Sequence, residues 1–386
     1  MYVNLDGIKG KVESLEVTAT ALEADIILVT ETKQLPPKLR GYGKWISKER
    51  TEKGGGGVAI TAKDDIYGRI DEINDIEIPP TQDIIWVNLE IGRNKHIKLA
   101  AYYGKQETEK ISIIEEEFNS LNTQINMLKE KGEIIIGADF NAKLQIERDQ
   151  YKQNITRNGR FLKKLIKQND MKTPTLNSNK GLWTRRKEKK NIGEEKSVID
   201  YIITSKGFEN KINEILVDEE EIYKIKGKSS TDHNTLLIEV EINYEKNKTE
   251  TITRWNLNNK EGWNEFNKEF PKKYRETKPT TQSDMNKLIT DTMEKTIGKT
   301  IIKIGNKSKR ESSYTKNLRQ DMKKRKKIYE IALKNKQNDL PKKQEEYFSA
   351  YKTLKNNIKK EMKEETEKKL KKSLLKQRIT EMKYGN

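Results

Sequence analysis

Acidic and amide side chains recur at the ends of strand-like runs in this chain. They are Asn4 and Asp6 in YVNLDG, Glu31 closing ILVTETK, Asp139 and Asn141 in IIIGADFN, Asp200 in SVIDYI, and Asp232 with His233 in SSTDHN. A single strand-ending Asp before a turn is more often a cap than a ligand. The joint pattern points to chemistry, because open sheets present functional side chains where their strands end. The donor types narrow that chemistry. With no Cys and two His among 386 residues, disulfides, thiolate zinc sites and cysteine nucleophiles are excluded, and any bound metal must be held mainly by oxygen. His96 lies in a strand-like run with no acidic motif beside it and reads as an ordinary packed or exposed residue. His233, preceded by Asp232 and a Ser-Thr pair, reads as functional.

A sheet is needed to position such residues. Short β-rich runs occur at 24–31, 56–63, 83–91, 96–103, 133–140, 197–204 and 235–242. Between some of them, over 110–130 and 159–169, apolar residues recur at three- and four-residue intervals, which predicts helices. The mixture argues for an α/β fold with a substantial sheet core. Gly54 to Gly57 precede a strand, so they read as a turn and not as a phosphate-cradling loop. No apolar stretch approaches the roughly 18–20 residues that cross a bilayer, and no signal-peptide pattern opens the chain, so a soluble, intracellular protein without a membrane partner is expected.

Charge divides the sequence. Residues 1–250 hold 41 basic and 42 acidic side chains, net −1, whereas residues 251–386 hold 37 and 18, net +19. The positive excess is therefore C-terminal, where it would attract nucleic acid through counterion release. Composition changes after Glu241, which predicts a linker over 243–262 and a helical region over 263–386. Tyr347, Tyr351, Leu354, Ile358, Met362, Leu370 and Leu374 fall at helical steps with one gap at Thr366. That seam requires a partner helix, and a preceding helix over 314–336, ended at Asn338–Pro341, would supply it in a hairpin.

The motifs NLDG (4–7), TETK (30–33), YGKQ (103–106), GADFNA (137–142), IDYI (199–202) and STDHN (230–234) stand in this order along residues 1–242. In that order they resemble the endonuclease/exonuclease/phosphatase superfamily, which includes apurinic repair nucleases and the endonucleases of non-LTR retrotransposons. The resemblance implies a four-layer α/β sandwich, two packed and mostly antiparallel sheets flanked by helices, here followed by a basic α-helical hairpin region. It implies phosphodiester hydrolysis with Mg²⁺, or Mn²⁺ in its place, held by hard carboxylates. Glu31 is the leading metal ligand, and Asn4, Asp6 and Asp232 complete or border the site. Asp139 orients or deprotonates the attacking water, Asn141 helps hold the phosphate, His233 contacts it, and Asp200 fixes the imidazole. Tyr103 matches the family tyrosine. Lys105 replaces the usual proline two positions later, which leaves Tyr102 and Tyr103 as alternatives. Thr184 matches a family threonine and is expected with Arg185, Arg186 and Lys187 to contact nucleic acid; Arg185, Arg186, Lys187, Lys189 and Lys190 form a basic cluster suited to DNA backbone or to a solvated loop.

The pairing of SVIDYIIT with SSTDHN, and the RWN, Trp263 and Phe266 that precede the Lys-rich helices, favour the retrotransposon branch. That layout resembles the linker before a reverse transcriptase. The only Asp-Asp pair is Asp64-Asp65, so no polymerase signature is present and the chain reads as a separated or truncated element product. Only three residues precede Asn4, so a short first strand is expected. The expected partners are DNA, RNA through the basic C-terminal region, and a reverse transcriptase in trans; nuclear action follows. The alternatives are an apurinic/apyrimidinic repair endonuclease and a catalytically impaired nucleic-acid-binding remnant.

Overall fold

A computed structural model describes residues 1–50, 55–178, 180–189, 193–227, 231–242, 250–304 and 312–384. Gly54, Lys190 and Ser230 lie outside the described residues. The first half runs β1 (Tyr2–Asn4), α1 (Val12–Ala21), β2 (Ile26–Thr30), β3 (Ile46–Lys48), β4 (Val58–Ala62), α2 (Asp64–Tyr67), β5 (Ile70–Glu72), β6 (Asp83–Gly92) and β7 (Lys95–Tyr103). Then come α3 (Ile111–Lys129), β8 (Glu133–Asp139), β9 (Ile146–Arg148), β10 (Tyr151–Gln153), α4 (Arg157–Gln168) and β11 (Met171–Lys172). They are followed by β12 (Arg185–Lys189), β13 (Gly193–Ser197), β14 (Asp200–Ser205), β15 (Ile212–Val217), β16 (Leu236–Val240) and β17 (Glu250–Trp255). The remainder is α5 (Lys260–Thr277), α6 (Gln282–Thr296), β18 (Lys299–Ile304), α7 (Ser313–Lys334) and α8 (Leu340–Tyr384).

Two six-stranded sheets form the centre, ordered β15-β16-β1-β2-β4-β3 and β11-β14-β8-β7-β6-β5. Each is antiparallel except for one inner parallel pair, β1 with β2 and β7 with β8. Their facing sides bury Tyr2, Leu28, Val58 and Ile60 against Val87, Leu99, Ile135 and Ile202. Gly137 lets the sheets approach there, since a Cβ on it would meet Leu28 Cδ1 at 2.8 Å and Tyr2 Cδ2 at 3.0 Å. On the outer faces, Phe118, Leu121, Leu162 and Leu165 of α3 and α4 cover the second sheet, and Leu15 and Ala19 of α1 cover the first. This is the four-layer sandwich.

Three elements differ from the sequence reading, one being β18, a strand inside the region 263–386 expected to be helical. The basic run at 185–189 is not a loop but one arm of a β12–β13 hairpin, with Arg185 paired to Ser197 and Lys189 to Gly193. Within the expected linker, the alternation Thr251-Ile252-Thr253-Arg254-Trp255 has strand period, and β17 pairs with β18.

The chain forms two compact units, residues 1–244 with 308–386, and residues 245–307. In the first, α7 and α8 form a hairpin against α1. Tyr347, Tyr351, Leu354 and Ile358 of the seam are buried with Met322 of α7, Val17 and Ala21 of α1, and Tyr223. Tyr351 meets the Tyr223 ring edge-on at 4.9 Å, and Arg319 Nη1 donates to the Ala21 carbonyl at 2.8 Å, where α1 ends. Leu370, expected in the seam, is exposed.

Candidate active site

Strand register assembles the site. Asp139, at the end of β8, lies opposite Tyr103 on β7 and Asp200 on β14. In the other sheet Asn4 ends β1 opposite Thr30, one residue before Glu31. The chain must then turn sharply. Among the described residues eleven non-glycines have positive φ, and four of them are here: Asp6 (45°), Glu31 (50°), Lys33 (57°) and Asn141 (47°). Left-handed backbone is uncommon outside glycine and tends to cluster at functional sites.

Asp6, Glu31, Tyr103, Asp139, Asn141, Arg185, Lys187, Asp232 and His233 line one cavity of about 480 Å³. Nine of the residues named from the sequence thus meet at one opening. The other four lie around it. Asn4 is buried beneath, its Nδ2 donating to Glu31 Oε1 and Asp139 Oδ2, both at 2.9 Å, while its Oδ1 accepts the Asp6 N–H at 2.9 Å. It therefore aims the carboxylates instead of facing the cavity. Asp200 is fully buried and binds His233 Nδ1 at 2.8 Å through Oδ2. It is held in turn by the Tyr2 hydroxyl, which donates to Oδ1 at 3.1 Å.

Thr184 corrects the surface role suggested for it, because it is fully buried and its hydroxyl accepts the Ile199 and Asp200 N–H groups, both at 3.0 Å. Arg186 leans toward Glu194 at 3.7 Å and touches the site only through its backbone N–H, which donates to the Asp232 carbonyl. Between the two tyrosines the geometry decides. Tyr103 lines the cavity, whereas Tyr102 is buried and donates to Glu117 Oε1 at 2.7 Å.

Electrostatics divide the cavity into two sides. His233 Nε2 lies 3.9 Å from Asp139 Oδ2 and 3.5 Å from Asp232 Oδ1. Burial alone would lower the histidine pKa, but Asp200, then Asp139 and Asp232, outweigh it and raise it to about 10. The surrounding carboxylates thus favour the charged imidazole, a form that donates hydrogen bonds and does not ligate a metal. Burial, reinforced by Asp200, holds Asp139 above the usual carboxylate range. Asp232 is held low: burial opposes this, but His233 and Arg185 prevail, the Arg185 Nε donating to Oδ2 at 2.9 Å. Burial and the nearby Glu31 and Asp139 raise the Tyr103 phenol, so it stays a neutral donor.

Glu31, Asp139 and His233 each offer a ligand-type atom within 4.8 Å of the others. With His233 charged, the cation side is carboxylate oxygen from Glu31 and Asp139, bordered by Asp6. Lys33 places its ammonium against Asp6 and 3.7 Å from Glu31. This corner thus already attracts a cation, and its donors suit a hard divalent metal.

The chain is similar to nucleases of the endonuclease/exonuclease/phosphatase fold. Solved structures similar to it include the endonuclease domain of TRAS1, a telomere-specific non-LTR retrotransposon, at 20% identity and TM-score 0.46, covering 62% of this chain and 96% of that one. The 3′-5′ exonuclease NExo from Neisseria meningitidis matches at 15% identity and TM-score 0.46, over 62% of this chain and 98% of that one. The AP endonuclease LMAP from Leishmania major matches at 12% identity and TM-score 0.49, over 61% and 85%. No family model matches the chain, and no curated protein does.

Sequence reasoning did not single out other groups at this opening. Gln106, Glu107, Thr108, Lys143 and Thr156 also line the cavity. Their one signal was position: Gln106 closes YGKQ, Glu107, Thr108 and Lys143 follow a motif, and Thr156 caps the start of α4. Lys11 is fully buried and donates to the Leu5 and Asp6 carbonyls, bracing the loop that carries Asp6.

Proposed function

We propose that the protein is a divalent-metal-dependent phosphodiesterase that nicks DNA and leaves a 3′-hydroxyl. The observation that carries this reading is the set of groups meeting in one cavity: carboxylates from two sheets beside an imidazole that Asp200 holds at 2.8 Å. A phosphate seated in the cavity in front of these groups would meet His233 Nε2 as a charged hydrogen-bond donor. Asp139, with a pKa raised toward neutrality, takes a proton from the attacking water, for which general bases are best poised near the working pH. Water oxygen bonds to phosphorus, the bond from phosphorus to the 3′-oxygen breaks, and that oxygen takes a proton from solvent water while Asp139 returns its proton to solvent.

Asn141 and Tyr103 orient the phosphoryl oxygens, and Arg185 and Lys187 take flanking phosphates. Glu31, bordered by Asp6 and Asp232, would hold Mg²⁺ or Mn²⁺, with Asn4 orienting the Glu31 and Asp139 carboxylates. That ion supplies neutralisation of phosphoryl charge and Lewis-acid activation. The nick is a primer end for a reverse transcriptase supplied in trans, and action on chromosomal DNA implies nuclear work; the basic C-terminal region is the surface proposed for RNA.

The test is conversion of supercoiled plasmid to open circle. Mg²⁺ should support it and EDTA stop it, and Glu31→Gln, Asp139→Asn and His233→Ala should each lower the rate by about 10³-fold or more. A polymerase should extend the nicked product. Nicking by the three variants at the wild-type rate would refute the assignment, and an abasic duplex cut far faster than an intact one would make the protein a repair-type enzyme.

A further inference from the structure

We infer that Asn158, in the first turn of α4, is a positioning residue that fixes the spacing between the two loops carrying Tyr103 and Asn141. The inference rests on the phosphodiesterase reading of that cavity. Asn158 is fully buried, and both hydrogens of its amide nitrogen are used, one on the Lys105 carbonyl at 3.0 Å and one on the Asn141 carbonyl at 3.2 Å. The opposite amide orientation would turn an oxygen toward two carbonyl oxygens, so the donor placement is set by chemistry.

The same turn grips both loops a second time. The Asn158 N–H donates to Glu107 Oε1 at 2.9 Å, and Arg157 donates to the Glu107 and Glu109 carbonyls. Thr156 exchanges bonds with Lys143, its hydroxyl accepting the Lys143 N–H at 3.0 Å and its own N–H meeting the Lys143 carbonyl at 3.0 Å. Gly159 makes this approach possible, since a Cβ there would stand 1.9 Å from the Lys143 carbonyl oxygen.

What the clamp holds is the reacting corner. Asn141 sits at positive φ, its N–H donates to Asp139 Oδ1 at 2.9 Å, and its Nδ2 donates to the Gly104 carbonyl at 2.8 Å. Without Asn158, the Asn141 and Lys105 carbonyls lose their shared donor and the Asn141 backbone is freer to relax. The distance from Tyr103 to Asn141 then drifts, although neither side chain has changed.

The experiment compares Asn158→Ala and Asn158→Asp with Asn169→Ala. Asn169 caps the other end of α4 and donates to Asn122 Oδ1 of α3 at 2.8 Å, so its loss weakens α4 and its tie to α3 without touching the two loops. Both Asn158 variants should lose about 10- to 100-fold in kcat for nicking, as ångström-scale misplacement does, with KM changed less than about threefold. Asn169→Ala should keep kcat while melting earlier. Hydrogen exchange at residues 104–107 and 141–143 reads the coupling without activity, and should quicken in the Asn158 variants only. Equal kcat in wild type and both Asn158 variants, equal loss in Asn169→Ala, or unchanged exchange at those residues would overturn the inference. An inactive wild type would instead refute the phosphodiesterase reading, and exchange would still decide the role of Asn158.

Discussion

In the sandwich, buried His233 lies 2.8 Å from Asp200 and 3.9 Å from Asp139, whereas in the α7–α8 hairpin Lys323 and Lys359 stand largely exposed against Glu23 and Glu13. The hairpin belongs to the +19 segment of the sequence, residues 251–386, yet much of its charge near the sandwich meets opposite charge there. Lys326 pairs with Glu214 at 2.7 Å, and Glu330 accepts Lys180 at 2.8 Å. A surplus of Lys therefore does not mark where the chemistry is. Exposed pairs are screened and contribute little, while buried charges shift each other's protonation. The region with almost no net charge holds the reactive groups. The strongly basic one is fastened mainly by its aromatic seam.

Replacing Asp200 tests the first half of that contrast and should have the largest effect. Asp200→Asn removes the main group that raises His233, so the imidazole pKa falls. Activity that needs the imidazolium should persist in the wild type until about pH 10 and, in the variant, fail from a much lower pH. The rate should also drop by about 10² to 10⁴, as when other buried aspartate–histidine pairs lose their carboxylate. A pH–rate profile with an unmoved alkaline limb would separate Asp200 from the chemistry. The next effect belongs to the hairpin. Tyr351→Ala empties a buried aromatic site shared with Tyr223, and such truncations cost about 3–5 kcal/mol. Melting that begins in the sandwich as well as in the hairpin would show that the two share one core.

Much of the site was legible because strand ends are local features. NLDG, TETK and GADFNA carry their own turn chemistry, and register alone brings them to the same end of the sandwich. The elements that escaped depend on distant contacts. In α1, VESLEVTATA is rich in β-branched residues and gives no clean helical stripe; it becomes a helix packed between a sheet and the α7–α8 hairpin. The β12–β13 hairpin reads as a solvated charge run until Arg185 is paired with Ser197. Asn158 looks like an ordinary first-turn residue, and no local pattern tells that its amide spans two loops.

Glu117 sharpens the contrast at a smaller scale, because it is a buried acid outside the cavity. Burial raises its pKa from 4.5 to about 7, against the opposing Tyr102 hydrogen bond and Lys105. A carboxyl whose folded pKa lies above its unfolded one contributes stability fully below the unfolded value and loses it as pH rises through the folded value. Glu117→Gln, which keeps an acceptor for the Tyr102 hydroxyl, should therefore match the wild type near pH 4 and exceed it above pH 8, by up to roughly 3 kcal/mol at about 1.4 kcal/mol per pH unit. Chemical denaturation at the two pH values measures this, and a variant no more stable at the higher pH would mean that burial does not raise the Glu117 pKa.

The smallest effect should come from the charges that dominate the composition. Lys323→Ala and Lys359→Ala each remove one exposed partner of Glu23 or Glu13, and exposed pairs are worth about 0–1 kcal/mol. Salt near 1 M, where the screening length falls to about 3 Å, should weaken even that. If either substitution instead melted the hairpin from α1, the surface ion pairs would be doing what is here assigned to Tyr347, Tyr351, Leu354 and Ile358. The contrast between buried and exposed charge would then fail on the hairpin side while leaving the His233 cavity untouched.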